Sequence, residues 1–226
     1  MKKPTLVISL GGSLIVPDQI NVAFLREFKS VIEDFSHEYK FILIAGGGKT
    51  ARNYIQAASQ ISQLTKDDLD WIGIHSTRLN AQLLRDIFRK QANRIVVKNP
   101  ERAQPFKEDI LVAAGWRPGN STDLVAVKLA EKFKIDTVIN LSNIDYVYTA
   151  DPGKDPKAKA MPLMKWVDFC KLVGSKWDPG LSAPFDPVAS KLAHKLGLRV
   201  VIMNGNPLAN LRHFLGHKAF VGTVIE

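Results

Sequence analysis

The chain has 226 residues, 46% of them hydrophobic and 23% charged, an ordinary globular balance with room for one large domain or two small ones. It contains no apolar run of about 18 residues or more, so no membrane-spanning helix is expected. Cys170 is the only cysteine, which excludes an internal disulfide and a thiolate metal cluster and makes a cytoplasmic location the expectation.

The net charge of +9 raises the question of nucleic acid. The basic residues are scattered, with no Lys/Arg run and no interleaving of aromatic and basic residues, so no nucleic-acid partner is expected. A solvated lysine-rich surface accounts for the surplus, and so does steering of a small phosphorylated substrate. Charge alone does not choose between these.

Along the chain, apolar runs of strand length alternate with helical patterns. MKKPTLVISLGG carries a short apolar segment broken by Gly11 and Gly12, read as a first strand over 5–10 rather than a signal peptide. A helix follows over 22–35, with Val22, Leu25, Phe28, Val31, Ile32 and Phe35 on one stripe. Next come a strand over 41–45, helices over 50–59 and 69–91, and a strand over 94–97. A loop with two prolines over 99–107 leads to a strand over 110–114, a helix over 122–133 and a strand over 137–141. The Pro- and Lys-rich segment 149–162 reads as a loop, as does 174–184, and loops of this length are often functional lids. A helix over 187–196 and a strand over 199–203 complete the series. The strands are short, rich in Val and Ile and nearly continuously apolar, as suits strands buried on both faces of a parallel sheet with right-handed crossovers.

Three glycine-bearing turns follow apolar strands: Leu10-Gly11-Gly12-Ser13, Gly46-Gly47-Gly48-Lys49, and the stretch from Gly115 to Asp123 that opens a helix. Ligands of parallel α/β sheets bind beyond the carboxyl ends of the strands, and glycine there lets backbone N–H groups approach a phosphate. One such turn is weak evidence, but three point to anion binding. Two familiar patterns overlap GGGKTA. A Walker A loop needs glycine at position 43, which is Leu43. The dinucleotide fingerprint fits the glycines, with Asp68 and Asp70 downstream, but those acids lie at the start of a long helix rather than at the tip of a second strand. A dinucleotide-dependent oxidoreductase remains a minor alternative.

The ordered series LGGS, GGGKTAR, DWIGIHSTRLNA, PGNSTD, SNIDYVYTADPGKDP, DPVASKLA and a closing GT-x-I resembles the amino-acid kinase superfamily and, within it, the archaeal type of UMP kinases. The D-x-x-G-x-x-x-T-x-x-N segment points to that branch rather than to acetylglutamate, aspartate or carbamate kinases. The resemblance covers nearly the whole chain. It implies an α/β fold, a three-layer α/β/α sandwich with a mostly parallel central sheet, forming one domain over 1–226 with an acceptor part over about 1–135 and an ATP part over about 136–226. It implies transfer of the γ-phosphoryl group of ATP to UMP with Mg²⁺ held through the phosphates and no directly assigned metal ligand, in a homo-hexamer.

Residue by residue, the resemblance implies that Gly12 and Ser13 line the ATP phosphates and that Gly47 contacts UMP. Gly48 and Arg52 would meet phosphate where donor and acceptor join. Asp70 would bind the uridine side with Trp116, Arg117, Pro118, Gly119, Asn120, Ser121 and Thr122. Ser142, Asn143, Tyr148 and Asp151 would surround the ATP base and ribose. Asp123 and Asp186 would stand near the transferred phosphoryl group. Each acid also has a plain structural reading, Asp123 as a cap or dipole partner of its helix and Asp186 as a cap before Pro187.

Two departures stand out. Where the family has a lysine that reaches the transferring phosphates, this chain has Ser9, and Lys49, Arg52, Lys128 or Lys191 are candidates to compensate. Where the family has glycine in its Asn-x-Asp-Gly-Val-Tyr loop, this chain has Tyr146. A nucleotide-binding or assembly protein impaired by these changes is the alternative reading, as is a related kinase with another acceptor. His75 reads as a helix-surface residue, Cys170 as a small core residue, and Trp116 as the tryptophan beside the acceptor loop.

Overall fold

The computed structural model describes residues 3–174 and 183–226. Strands β1 (Thr5–Leu10), β2 (Lys40–Ala45), β3 (Ile110–Ala113), β4 (Thr137–Ser142), β5 (Leu163–Met164), β6 (Arg199–Asn204) and β7 (Thr223–Ile225) form one sheet in the order β3-β2-β1-β4-β6-β7-β5. The pairs among β3, β2, β1, β4 and β6 are all parallel, and β7 runs antiparallel to β6. The helices are α1 (Gly12–Ile15), α2 (Val22–Phe35), α3 (Gly48–Ile61), α4 (Lys66–Ile87), α5 (Thr122–Phe133), α6 (Trp166–Val173), α7 (Pro187–Leu196) and α8 (Ala209–Leu215).

Because side chains alternate across a strand, the continuous apolar runs feed two cores. Ile8, Leu10, Phe41, Leu43, Ile139 and Leu141 pack on one face with residues of α1, α2, α4 and α8. Val7, Ile42, Ile44, Leu111, Val138 and Val200 pack on the other with α5, α6 and α7. This is the expected three-layer sandwich.

Several elements depart from the sequence expectations. Residues 94–97 do not form a strand: only single parallel bridges, Ala92 to Ile110 and Val97 to Ala113, flank β3. Between them Ile95 is 74% exposed and its N–H donates to the Asn93 side chain, a local turn that pulls the segment off the sheet. The apolar stripe of α2 is set by Phe24, Leu25, Phe28, Val31 and Ile32. Val22 is 59% exposed because, at about 100° per residue, it sits roughly 120° from Phe28. Helix α4 begins at Lys66 rather than 69, since Thr65 and Asp68 form a reciprocal capping box, and it ends at Ile87. Pro100–Arg102 forms a short 3-10 turn inside the expected loop. Helices α1, α6 and α8 and strands β5 and β7 had no counterpart in the sequence reading. The loop expected over 174–184 falls largely on residues outside those described.

Candidate active site

Strands β1 to β4 all end on one edge, where the strand order reverses across the β1–β4 pair. This is the crevice where parallel sheets bind ligands. The turns after β1 and β2 meet there backbone to backbone. A Cβ on Gly12 would lie 2.0 Å from the Gly48 nitrogen, and one on Gly46 would lie 2.4 Å from the Gly12 nitrogen. Gly48 has φ +64°, in the left-handed region that side chains disfavour. It also opens α3, whose first N–H groups have no intrahelical acceptor. Arg52, exposed one turn into α3, reaches back so that its Nη1 donates to Ser13 Oγ at 3.4 Å.

Helix α4 ties the second and third turns together. Asn80 Nδ2 donates to Gly46 O at 2.8 Å and Gly47 O at 3.2 Å. The Thr77 hydroxyl accepts from the Gly115 N–H at 2.8 Å, and Arg78 Nη2 donates to Trp116 O at 2.9 Å. The Gly119 N–H donates to Asp70 Oδ2 at 2.7 Å. Asp70 and the 116–122 stretch, expected at one subsite, therefore touch. Trp116 is buried, with the Arg117 guanidinium 3.9 Å from its ring centroid and Lys128 Nζ at 5.3 Å.

Between these turns lie the two acids. The Ser9 hydroxyl, buried in β1, donates to Asp123 Oδ1 at 2.9 Å. Asp123 Oδ2 accepts the Asp186 N–H at 3.2 Å. Asp123 does not cap its own helix, a task taken by Ser121, whose Oγ accepts the Leu124 N–H at 3.1 Å. Asp186 does cap α7, its Oδ1 accepting the Ala189 N–H at 2.6 Å with Pro187 at the first helical position. Desolvation pushes the Asp123 carboxyl up to about 6, helped by the Asp186 charge and opposed by the Ser9 hydroxyl and the Asp186 N–H. Desolvation also raises Asp186, against the Ala189 N–H and the Ser121 hydroxyl. Asp186 Oδ2 is nonetheless buried without a hydrogen-bond partner. A buried, unpartnered carboxylate oxygen is costly unless a proton or cation comes to it.

On the other side of the crevice a cavity of about 450 Å³ opens beyond β4. Ser142, Asn143, Tyr148 and Asp151 all line it, with Tyr146, Leu172 and Val173 among its walls. Tyr146 and Tyr148 meet edge to face, ring centroids 6.5 Å apart.

The amino acid kinase family matches residues 4–204 of the chain. The uridylate kinase of Methanospirillum hungatei is 36% identical over 225 residues, covering 98% of this chain and 94% of that protein. The chain belongs to the amino acid kinase family, in its uridylate kinase branch. The uridylate kinase of Thermococcus sibiricus is 32% identical, covering 98% of this chain and 99% of its own. The crystal structure of uridylate kinase from Archaeoglobus fulgidus superimposes with a TM-score of 0.84 at 32% identity, covering 98% of this chain and 99% of that one. UMP kinase from Ureaplasma parvum, 19% identical, shares the fold with a TM-score of 0.80.

On this amino acid kinase fold, the candidate replacements for the missing lysine separate. Lys128 is drawn to the Trp116 ring and to Glu101 at 3.6 Å, and Lys191 lies in α7, the helix that Asp186 caps. Lys49 holds α3 through its backbone, its N–H donating to Val16 O at 2.8 Å. Arg52 is the candidate that contacts a residue expected at the ATP phosphates. Thr77, Arg78 and Asn80 were legible in sequence only as members of a motif. Their spacing with Asp70 puts Asp70, Thr77 and Asn80 on one helical face, which was the available signal.

Proposed function

We propose that the chain transfers the γ-phosphoryl group of ATP to UMP, giving UDP and ADP. The observation that carries this reading is the arrangement around the interlocked Gly12 and Gly48 turns. The Ser142–Tyr148–Asp151 cavity opens on one side, and the loop joined to Asp70 lies on the other. Two nucleotides entering from opposite sides would bring their phosphates together at that contact. The uridylate kinases it resembles support the choice of acceptor.

In this reading, Ser142, Asn143, Tyr148 and Asp151 receive the adenosine, and Gly12 and Ser13 face the phosphates of ATP. Gly47, Asp70 and the stretch from Trp116 through Arg117, Pro118, Gly119, Asn120 and Ser121 to Thr122 receive UMP. Gly48 and Arg52 face the junction. A phosphate oxygen of UMP attacks the γ-phosphorus in line, forming one P–O bond as the bond to the ADP oxygen breaks. The acceptor is already an anion near neutral pH, so no base has to remove a proton from it. The protein's part is positioning and charge neutralisation by N–H groups and Arg52.

Among the described residues no cluster of three or more His, Cys, Asp or Glu could hold a resident metal ion. The unpartnered Asp186 Oδ2 beside Asp123 does fit Mg²⁺ brought in on the triphosphate, the usual habit of that ion. Bound there, it would neutralise charge on the transferring oxygens. We further propose an acceptor half over about 1–135, a donor half over about 136–226 and a hexameric assembly on the strength of the family resemblance, and cytoplasmic operation from the single cysteine.

A coupled assay with ATP, Mg²⁺ and UMP, CMP, acetylglutamate or aspartate tests the assignment. UDP formation with UMP alone is expected; turnover of another acceptor in its place overturns it.

A further inference from the structure

Gly73 lies in the interior of α4, seven residues past its first residue, Lys66. A glycine there costs helix stability relative to alanine, so it wants a reason. Neither of the usual reasons applies. Gly73 has no positive φ, and a Cβ added to it would meet no atom of the described residues within 4 Å. The glycines of the turns are different: Cβ atoms on Gly12, Gly46 and Gly48 would all strike backbone.

The space in front of Gly73 has a definite address. Asp70, Gly73, Thr77 and Asn80 fall within an arc of roughly 80° on α4 at about 100° per residue. Asp70 and Thr77 hold the third turn, through Gly119 and Gly115, and Asn80 holds the second, through Gly46 and Gly47. A Cβ on Gly47 would lie 3.5 Å from Gly73 O. The bare backbone of Gly73 therefore lies on the helix face that bridges the two turns assigned to the acceptor.

We propose that Gly73 is a specificity-determining residue of the acceptor site, its missing side chain leaving the floor on which the nucleoside monophosphate lies. The inference rests on the assignment of the Gly47 and Gly115–Gly119 turns to the acceptor. A side chain at 73 narrows this groove and leaves the donor cavity beyond β4 untouched, since Gly73 is not among that cavity's walls.

Gly73→Ala is the test, with Gly73→Leu as the larger probe. The alanine variant should melt at or above the wild-type temperature, because alanine is the better helix former. Its KM for UMP should rise on the order of tenfold, with KM for ATP unchanged, and the leucine variant should be worse. The thermal stabilisation given by saturating UMP should shrink in the same order, while that given by ATP persists. Unchanged KM and thermal shift for UMP in both variants overturn the proposal. So does a lowered melting temperature with both KM values raised, which would make Gly73 a folding residue. A change in oligomeric mass with unaltered UMP kinetics would assign the space to a second copy of the chain and also overturn it. Wild-type protein that neither turns over UMP nor is stabilised by it fails the acceptor assignment itself, and the inference falls with it. A response to UMP in the wild type, unaltered in the variants, fails the Gly73 inference alone.

Discussion

Ser9 donates its hydroxyl hydrogen to Asp123 Oδ1 across 2.9 Å, joining the carboxyl end of β1 to the first turn of α5. By the family resemblance Ser9 stands where a lysine is expected, so a neutral donor takes the place of a cation. A hydroxyl can hold the carboxylate in place but cannot neutralise it.

Ser9→Ala should therefore change the pH profile more than the maximal rate. The hydrogen bond favours ionised Asp123, which desolvation has pushed up to about 6. Without it the carboxyl rises further, by roughly one pH unit for a hydrogen bond to a charged group. The acid limb of kcat/KM for UDP formation should move upward by that amount, with the rates converging near pH 8 and Ser9→Thr closer to wild type. Superimposable profiles for Ser9→Ala and wild type would show that the contact has no bearing on Asp123.

Asp123→Asn separates stability from activity. The folded carboxyl titrates near 6 against an ordinary 3.8, so the folded state holds the proton more tightly than the unfolded chain. Stability is then highest below about pH 4 with respect to this group and is lost as pH rises toward 6. The full effect is at most on the order of 3 kcal/mol, less to the extent that solvent reaches this half-buried group. Asparagine keeps the shape, can donate to Ser9 and can accept from the Asp186 N–H, and it carries no charge to desolvate. The variant should melt a few degrees above wild type at pH 8 and about equal to it at pH 4, while kcat falls on the order of a hundredfold. Calorimetry across pH 4 to 8 decides it: a difference in melting temperature that ignores pH contradicts the assignment of the titration to Asp123.

What sequence could and could not reveal follows from range. Strands β1, β2, β3, β4 and β6 were legible because each is buried on both faces, so their inner positions are mostly apolar. Strand β7 is three residues long and antiparallel, too short to carry a periodicity, and α1 is a single turn. The glycine turns were legible because a tight strand-to-helix turn leaves a local mark. Their interlocking was not, since nothing in LGGS says that GGGK will lie against it. Likewise Ser9 and Asp123 are 114 residues apart, and only the parallel register of the sheet brings them together. Residues 94–97 misled because Val96 and Val97 face the protein while Arg94 and Ile95 turn outward, a division that composition does not disclose.

Gly12→Ala tests that interlocking. A methyl at Gly12 would lie 2.0 Å from the Gly48 nitrogen and 2.7 Å from the Gly47 nitrogen, and backbone on both sides leaves nothing flexible to give way. The two turns must part, at a cost of about 1–3 kcal/mol in overpacking. If their contact sets the approach of donor to acceptor, displacement of about an ångström costs on the order of a hundredfold in kcat/KM. Thermal melting and steady-state assays of the same preparation should show both losses. Full activity in a normally stable variant would mean that the turns tolerate separation.

Arg52→Ala should show the opposite balance. Arg52 is exposed, and its contact to Ser13 Oγ is long at 3.4 Å, so stability should change by no more than about 0.5 kcal/mol. Its value lies in a planar fork that can straddle two phosphate oxygens where α1 and α3 begin, beside the Gly12–Gly48 contact. With lysine absent at position 9, the contact to Ser13 makes Arg52 the first candidate to supply charge at the phosphate-facing residues. The alanine variant should lose on the order of a hundredfold in kcat/KM, and Arg52→Lys should recover only part of it, because a point charge cannot reproduce the fork. Wild-type kinetics in Arg52→Ala, with ATP and UMP each varied, would remove Arg52 from the reaction and return the search to Lys49.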